Sequence, residues 1–164
     1  MKIIGTGSSL PQKVVTNDDL AAIMDTSDEW ISSRTGIRKR HIATTETTTS
    51  LAVEAVKAAL SDAGTDGSEI DLIIAASVTG DKIVPSLACQ IQAEIGADSA
   101  VAFDINAACS GFLFALATAD AYFKTGRFHK AVILGAEVLS KIMDWNDRST
   151  CVLFGDGAGA AVVS

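Results

Sequence analysis

Proline is nearly absent from this chain, with two residues in 164, and no Pro-, Gly- or Ser-rich tract interrupts it. A rigid or flexible linker is therefore excluded, and so is a low-complexity disordered segment. Cysteine is also scarce. Cys89, Cys109 and Cys151 are an odd number without metal-ligand spacing, which speaks against a disulfide framework or a structural zinc site and predicts a reducing, cytoplasmic setting. No apolar run approaches the roughly 20 residues that a membrane span requires. The most apolar segment, Ala107 to Ala119, is interrupted by Ser110, Gly111 and Thr118. Met1 to Gly7 offers no charged leader followed by an apolar stretch, so no secretory signal is expected there. Positive charge is in deficit, with 13 Lys and Arg against 20 Asp and Glu and a net charge of −7. General attraction to nucleic acid or to an anionic membrane is thereby disfavoured.

What is present is a folded domain's worth of apolar sequence, 48% of residues, in a length suited to one domain spanning 1–164. Short apolar runs predict strands at Lys2–Gly7, Arg38–Ile42, Ile70–Ala76, Val101–Ile105, Ala131–Gly135, Cys151–Phe154 and Ala158–Val163. Helices are expected from Asn17 to Met24, from Ser27 through Arg34, and over Thr49–Ala63, Ser86–Ile95 and Cys109–Lys124, with Gly64, Gly96 and Gly126 as stops. The alternation implies an α/β layer with a largely parallel sheet. The helix after Cys109 is apolar nearly all round, which predicts cover from another domain or subunit. The chain ends at Ser164 directly after an apolar strand, so this end is expected to be an internal boundary of a longer protein.

The densest chemical signal is Asp104-Ile105-Asn106-Ala107-Ala108-Cys109-Ser110-Gly111-Phe112. A buried strand runs through small residues into a cysteine and then a long helix. This order places the Cys109 sulfur at the first helical turn, where free N–H groups and the helix dipole favour a thiolate. The alanines before it and Gly111 after it would let a substrate backbone approach. By position alone, Cys109 could equally be one more buried small residue. Cys89 and Cys151 lie within apolar patterns and read as core.

Several segments together resemble β-ketoacyl-acyl carrier protein synthase III, of the thiolase superfamily. They are Ala107 to Phe112; Asp25-Thr26-Ser27-Asp28-Glu29-Trp30-Ile31 with Arg34 to Arg38; Pro85-Ser86 with Cys89 to Gln92; and Phe154 to Ala160. They keep their order and run the length of the chain. The resemblance implies a thiolase-like α/β fold with a five-stranded mixed sheet layered between helices. The chain would correspond to the first of two similar halves, the C-terminal domain being absent.

The resemblance implies further that Cys109 is acylated from an acyl-coenzyme A, with acetyl-coenzyme A the expected substrate. Condensation with malonyl-acyl carrier protein would follow decarboxylation and initiate fatty acid synthesis. Trp30 and Arg148 would sandwich the adenine, Arg34 would reach the nucleotide phosphates, and Thr26 would form a further wall. An indole face and a guanidinium plane suit a stacked base. Phe154 and Leu139 match positions near the acyl pocket, and Val84 a residue reaching into a partner's pocket across a homodimer, with Val101–Ile105 pairing at the two-fold axis. No cofactor or metal is implied, coenzyme A thioester being a substrate.

Arg34, Arg38, Lys39 and Arg40 form a basic cluster, of which only Arg34 is assigned. Gly155 to Gly159 lacks the Lys-Ser or Lys-Thr of a phosphate loop and is expected to pack closely on the active-site helix. The His and Asn that promote decarboxylation, and part of the oxyanion hole, belong to the other half of the family's fold. His41 and His129 match neither and read as structural or solvated. The chain alone is therefore expected not to condense. Other readings are a related thiolase-fold synthase of the hydroxymethylglutaryl-coenzyme A or polyketide type, a non-catalytic coenzyme A-binding half-domain, and a fragment that folds by self-association.

Overall fold

The computed structural model describes residues 1–164. In chain order the elements are β1 (Ile3–Ser9), β2 (Val14–Thr16), α1 (Asn17–Ala21), α2 (Asp28–Thr35), β3 (Lys39–His41), α3 (Thr48–Ala63) and β4 (Leu72–Ala76). There follow α4 (Leu87–Ile95), β5 (Val101–Ile105), α5 (Gly111–Phe123), β6 (Ala131–Val138), α6 (Arg148–Cys151) and β7 (Asp156–Val163). The main sheet has five strands in the order β1-β7-β6-β4-β5, and β2 and β3 form a separate ribbon.

The sheet is mixed rather than largely parallel. β4 pairs in parallel with β5 and β6, whereas β7 runs antiparallel to both β6 and β1. The parallel strands β4, β5 and β6 are joined through the helices α4 and α5, the crossovers that parallel pairing requires. This is the layered α/β arrangement expected.

Side-chain alternation splits the core in two. Ile73, Ala75, Val132 and Leu134 point to one face, where α3 and α4 complete a cluster of 20 buried residues. Leu72, Ile74, Ala131 and Ile133 point to the other, where Ala115 and Ala119 of α5 help to close a cluster of 8. On the first face Gly7 is obligatory. A Cβ there would stand 2.2 Å from the Ala55 carbonyl oxygen, so only glycine lets β1 lie against the α3 backbone. Helix α3 begins at a Thr47/Ser50 capping box and ends at Gly64, whose φ of 59° is left-handed.

One expected strand is a helical turn. Cys151–Phe154 reads as a short apolar run, but Asp147 caps α6 by accepting the Ser149 N–H, and the chain is helical through Cys151. Four apolar residues cannot distinguish strand from helix by themselves. Here Cys151 and Val152 are buried in a satellite cluster with Leu20 and Ile31, while Leu153 points out.

Candidate active site

Strand β5 ends at Ile105, and the chain reverses through a single 3₁₀ turn, Ala108–Ser110, before α5 begins at Gly111. Cys109 thus lies two residues before α5, in the 3₁₀ turn rather than at the start of the α-helix. Ala108 takes a φ of 45°. The left-handed region costs an L-residue with a Cβ about 1–2 kcal/mol, and this residue precedes the candidate nucleophile directly. The reversal leaves Cys109 exposed, unlike buried Cys151 and half-buried Cys89. Burial also raises the Cys151 thiol above its usual pKa, with Asp147 adding to the effect.

Gly111 has a different role from the one expected. A Cβ there would stand 2.8 Å from Ala76 Cβ, so the glycine seats the start of α5 on β4 and faces no substrate. The Gly157–Gly159 stretch of β7 is likewise not packed on the helix. Gly159 would place a Cβ within 4 Å of nothing, and with Gly157 and Ala158 it lines an open depression of about 400 Å³ that also contains Cys109, Ala108 and Phe112. These residues leave room beside the sulfur. Gly155 packs instead on Arg40 and His41.

Glu137, which the sequence reading passed over, is the one ionisable side chain besides Cys109 in that lining. Both its oxygens are occupied. Oε1 accepts from the Val78 N–H at 2.8 Å, and Oε2 accepts the Thr79 hydroxyl. Thr79 Oγ1 in turn accepts the Val138 N–H, and Thr48 donates to the Thr79 carbonyl. The knot joins the ends of β4 and β6 at the cavity wall. A carboxylate inside an apolar strand end was the available signal, hidden because β6 was expected to stop at Gly135.

A second cluster forms around Trp30. The N–H of Trp30 is capped by Ser27, and its ring leans on the satellite core. The guanidinium carbon of Arg34 stands 4.6 Å from the ring centroid and that of Arg148 5.0 Å. Arg34 also donates to the Trp30 carbonyl at 3.2 Å, while Arg148 donates to the carbonyl and carboxylate of Asp25. Nearby in sequence, Thr26 Oγ1 is buried without a hydrogen-bond partner. The structure therefore assembles Trp30, Arg34 and Arg148 from segments more than a hundred residues apart.

The remaining candidates stand elsewhere. Val84 is 79% exposed, beside Ile83 at 94%, on the loop between β4 and α4. Leu139 and Phe154 are half-buried, and neither lines the Cys109 depression. Of the undecided cations, Arg40 is buried and ties β3 to Val152 O at 3.0 Å; that burial lowers its pKa. Arg38 pairs with Asp28 at the surface. His41 Nδ1 lies 2.6 Å from the Pro11 carbonyl, and the exposed His129 lies beside Asp71. Neither histidine lines the Cys109 depression. No group of three or more His, Cys, Asp or Glu is placed to hold a metal, and no helix is long and apolar enough to cross a membrane.

A five-stranded mixed sheet with a cysteine on the strained turn between the parallel edge strand β5 and its crossover helix defines a thiolase-like α/β half-fold. Residues 103–164 match the family model described as 3-Oxoacyl-[acyl-carrier-protein (ACP)] synthase III. A β-ketoacyl-[acyl-carrier-protein] synthase III from Clostridium acetobutylicum is 55% identical over 163 residues, covering 99% of this chain and 50% of that protein. The crystal structure of the Aquifex aeolicus 3-oxoacyl-[acyl-carrier-protein] synthase III superposes with a TM-score of 0.97 at 56% identity, over 99% of this chain and 53% of that one. A priming β-ketosynthase of the R1128 polyketide pathway superposes at 0.95 with 41% identity, over 98% and 48% of the two chains. The chain spans about half the length of the curated relatives it matches, and it corresponds to the N-terminal half of the β-ketoacyl-[acyl-carrier-protein] synthase III proteins.

Proposed function

We propose that this chain is the nucleophile-bearing domain of a β-ketoacyl-acyl carrier protein synthase III, in which Cys109 takes an acyl group from an acyl-coenzyme A. The observation that carries the reading is the exposed Cys109 on its strained turn, opening into a depression lined by Gly157, Ala158 and Gly159. In the acyl transfer the Cys109 thiolate attacks the thioester carbonyl carbon. The new C–S bond forms, the bond to coenzyme A breaks, and the departing thiolate takes up a proton. Cys109 lies in the turn that leads into α5, on the N-terminal side of that helix, the end at which the helix dipole is positive. The Cys109 N–H would supply one donor to the oxyanion.

Coenzyme A would dock on the second cluster. Its adenine stacks between Trp30 and Arg148, its phosphates are drawn by Arg34, and Thr26 completes the wall. Val84 would reach a partner's acyl pocket across a homodimer, and Leu139 and Phe154 would stand near the pocket of their own chain. The first two sit on elements joined by the Asp81–Lys141 ion pair, at 2.8 Å. Strand β5 is a sheet edge, and the exposed Ile83 and Val84 lie on a neighbouring loop, which supports a homodimer built across that edge.

Condensation would need more than these residues. Malonyl-acyl carrier protein must lose carbon dioxide, and the resulting carbanion must attack the acyl-Cys109 carbonyl, releasing the thiolate. With both oxygens engaged, Glu137 is not free to serve as the base, and neither histidine reaches the cavity. Removing acid–base assistance costs about 10²–10⁴ in rate, so the condensing step is assigned to the whole protein with its second half. Identity of 56% with a fatty-acid-type synthase against 41% with a polyketide-priming one favours the fatty acid reaction.

Intact-protein mass after incubation with acetyl-coenzyme A, beside a Cys109→Ser control, tests the acylation step. One acetyl adduct on the native chain and none on the control is expected. A folded chain that gains no adduct would show that the nucleophile is activated only when the second half is present, and this domain would then be the scaffold rather than the agent of the first step.

A further inference from the structure

We infer that Asp25 is a positioning residue that latches the Trp30 mouth: it holds Arg148 over the indole in the empty site, and an incoming anion must displace it. The inference rests on the reading of Trp30, Arg34 and Arg148 as a nucleotide-binding mouth, and it adds to them a residue with an opposing role.

Two guanidinium groups share one indole, at 4.6 and 5.0 Å from its centroid. A base stacked on an indole itself needs a centroid separation of about 4.5–7 Å. The place such a base would take beside Arg148 is therefore filled by Arg148.

The two arginines are held differently. Arg34 is tied within its own helix, to the Trp30 carbonyl one turn back. Arg148 stands on the four-residue helix α6, and its side-chain hydrogen bonds go to Asp25 alone, at the backbone carbonyl and at Oδ2. Arg148 is thus the movable member.

The electrostatics explain why a carboxylate is needed. Two like charges over one ring repel each other, and Asp25 compensates one of them. Its carboxylate is fully exposed, so water and salt screen the attraction. Such a hold is enough to close an empty site and weak enough to yield. A phosphate binds a guanidinium through two parallel, charge-assisted hydrogen bonds and is the stronger partner. A ligand carrying phosphate beside a purine would take Arg148 from Asp25 and free the indole with the same molecule. Thr26 follows directly in sequence, and its buried, unpaired hydroxyl leaves the closed arrangement incompletely satisfied.

The test uses a Trp145→Phe background, which makes Trp30 the only indole, since the chain has two tryptophans. Acrylamide quenching of Trp30 fluorescence is measured without ligand, and adenosine 3′,5′-bisphosphate is then titrated. Asp25→Asn is expected to raise the quenching constant toward that of Arg148→Ala. It should also tighten bisphosphate binding about 3- to 10-fold, the scale of one exposed ion pair and one exposed cation–π contact. Asp25→Glu should restore both readouts. If the variants bind the bisphosphate but Asp25→Asn moves neither readout, the latch is wrong and the mouth stands. If no variant binds it, the nucleotide reading fails and the latch falls with it.

Discussion

The two faces of the sheet solve the same packing problem to different degrees. On one, α3 buries Leu51, Ala52, Ala55, Val56, Ala59 and Leu60 and turns Glu54, Lys57 and Ser61 to solvent. That is a finished amphipathic stripe. On the other, α5 buries only Gly111, Ala115 and Ala119, while Leu113 is 65% and Phe114 56% exposed. A helix apolar on all sides, covered on one, is half of an interface. Cys109 opens on the unfinished face, so the catalytic candidate lies where this chain's own core stops.

Glycine substitutions give the sharpest contrast between the faces. Gly7→Ala would drive a Cβ to 2.2 Å from the Ala55 carbonyl and 2.4 Å from the Ala59 nitrogen, both backbone atoms that cannot rotate away. A loss of about 3–5 kcal/mol is expected in urea denaturation. Gly159, on the adjoining strand, faces open space instead. Gly159→Ala should stay within about 0.5 kcal/mol of the native chain. Equal effects at the two positions would show that the unfinished face is as tightly packed as the finished one, and the comparison would collapse.

Much of this was legible in the sequence because the relevant signals are local. The stop at Gly64, the cap at Ser27 and the apolar period of α3 each follow from neighbouring residues. The cover missing from α5 was legible too, since its composition leaves no polar face. What escaped depends on contacts between distant segments. Nothing near Gly111 shows that Ala76 lies 2.8 Å from its absent Cβ. Glu137 reads as a strand residue until Thr79 and Val78 are brought to it. Arg40 sits in a basic run that looks solvated, yet its guanidinium reaches Val152, 112 positions away. The pairing of Trp30 with Arg148 was reached through the resemblance, not through spacing.

Asp81 joins the finished face to the site, and its loss should have an intermediate effect. It accepts the Thr49 N–H at 2.7 Å at the start of α3 and the Lys141 ammonium at 2.8 Å beside the turn that begins at Leu139. Burial opposes its charge, but the Lys141 and Thr49 hydrogen bonds outweigh burial and hold it well below the usual carboxylate range. Because the folded pKa is depressed, the stabilisation is full above the unfolded value and is lost as pH falls through the folded one. Asp81→Asn should cost about 1–2 kcal/mol at pH 7. The gap to the native chain should narrow once pH drops below about 4, the unfolded aspartate range. A gap that persists unchanged at pH 2 would mean that packing, not charge, links the two regions there.

A small effect on stability is also expected at the large exposed side chains of α5. Leu113 and Phe114 gain little from this chain's own fold, so Leu113→Gln with Phe114→Gln, both to good helix formers, should shift the monomer's stability by only about 0.5 kcal/mol. Their cost appears in association instead. Each large apolar side chain fully covered by a partner contributes roughly 1.5–3 kcal/mol, so a second half or a second copy of this domain has a strong reason to cover α5. Sedimentation across a concentration series should show the native chain self-associating and the double variant remaining monomeric. If both associate alike, α5 is not the contact, and the edge of β5 with Ile83 and Val84 becomes the surface through which copies meet. If the variant alone is monomeric and keeps its fold, the face beside Cys109 is the part of the molecule completed by another chain segment.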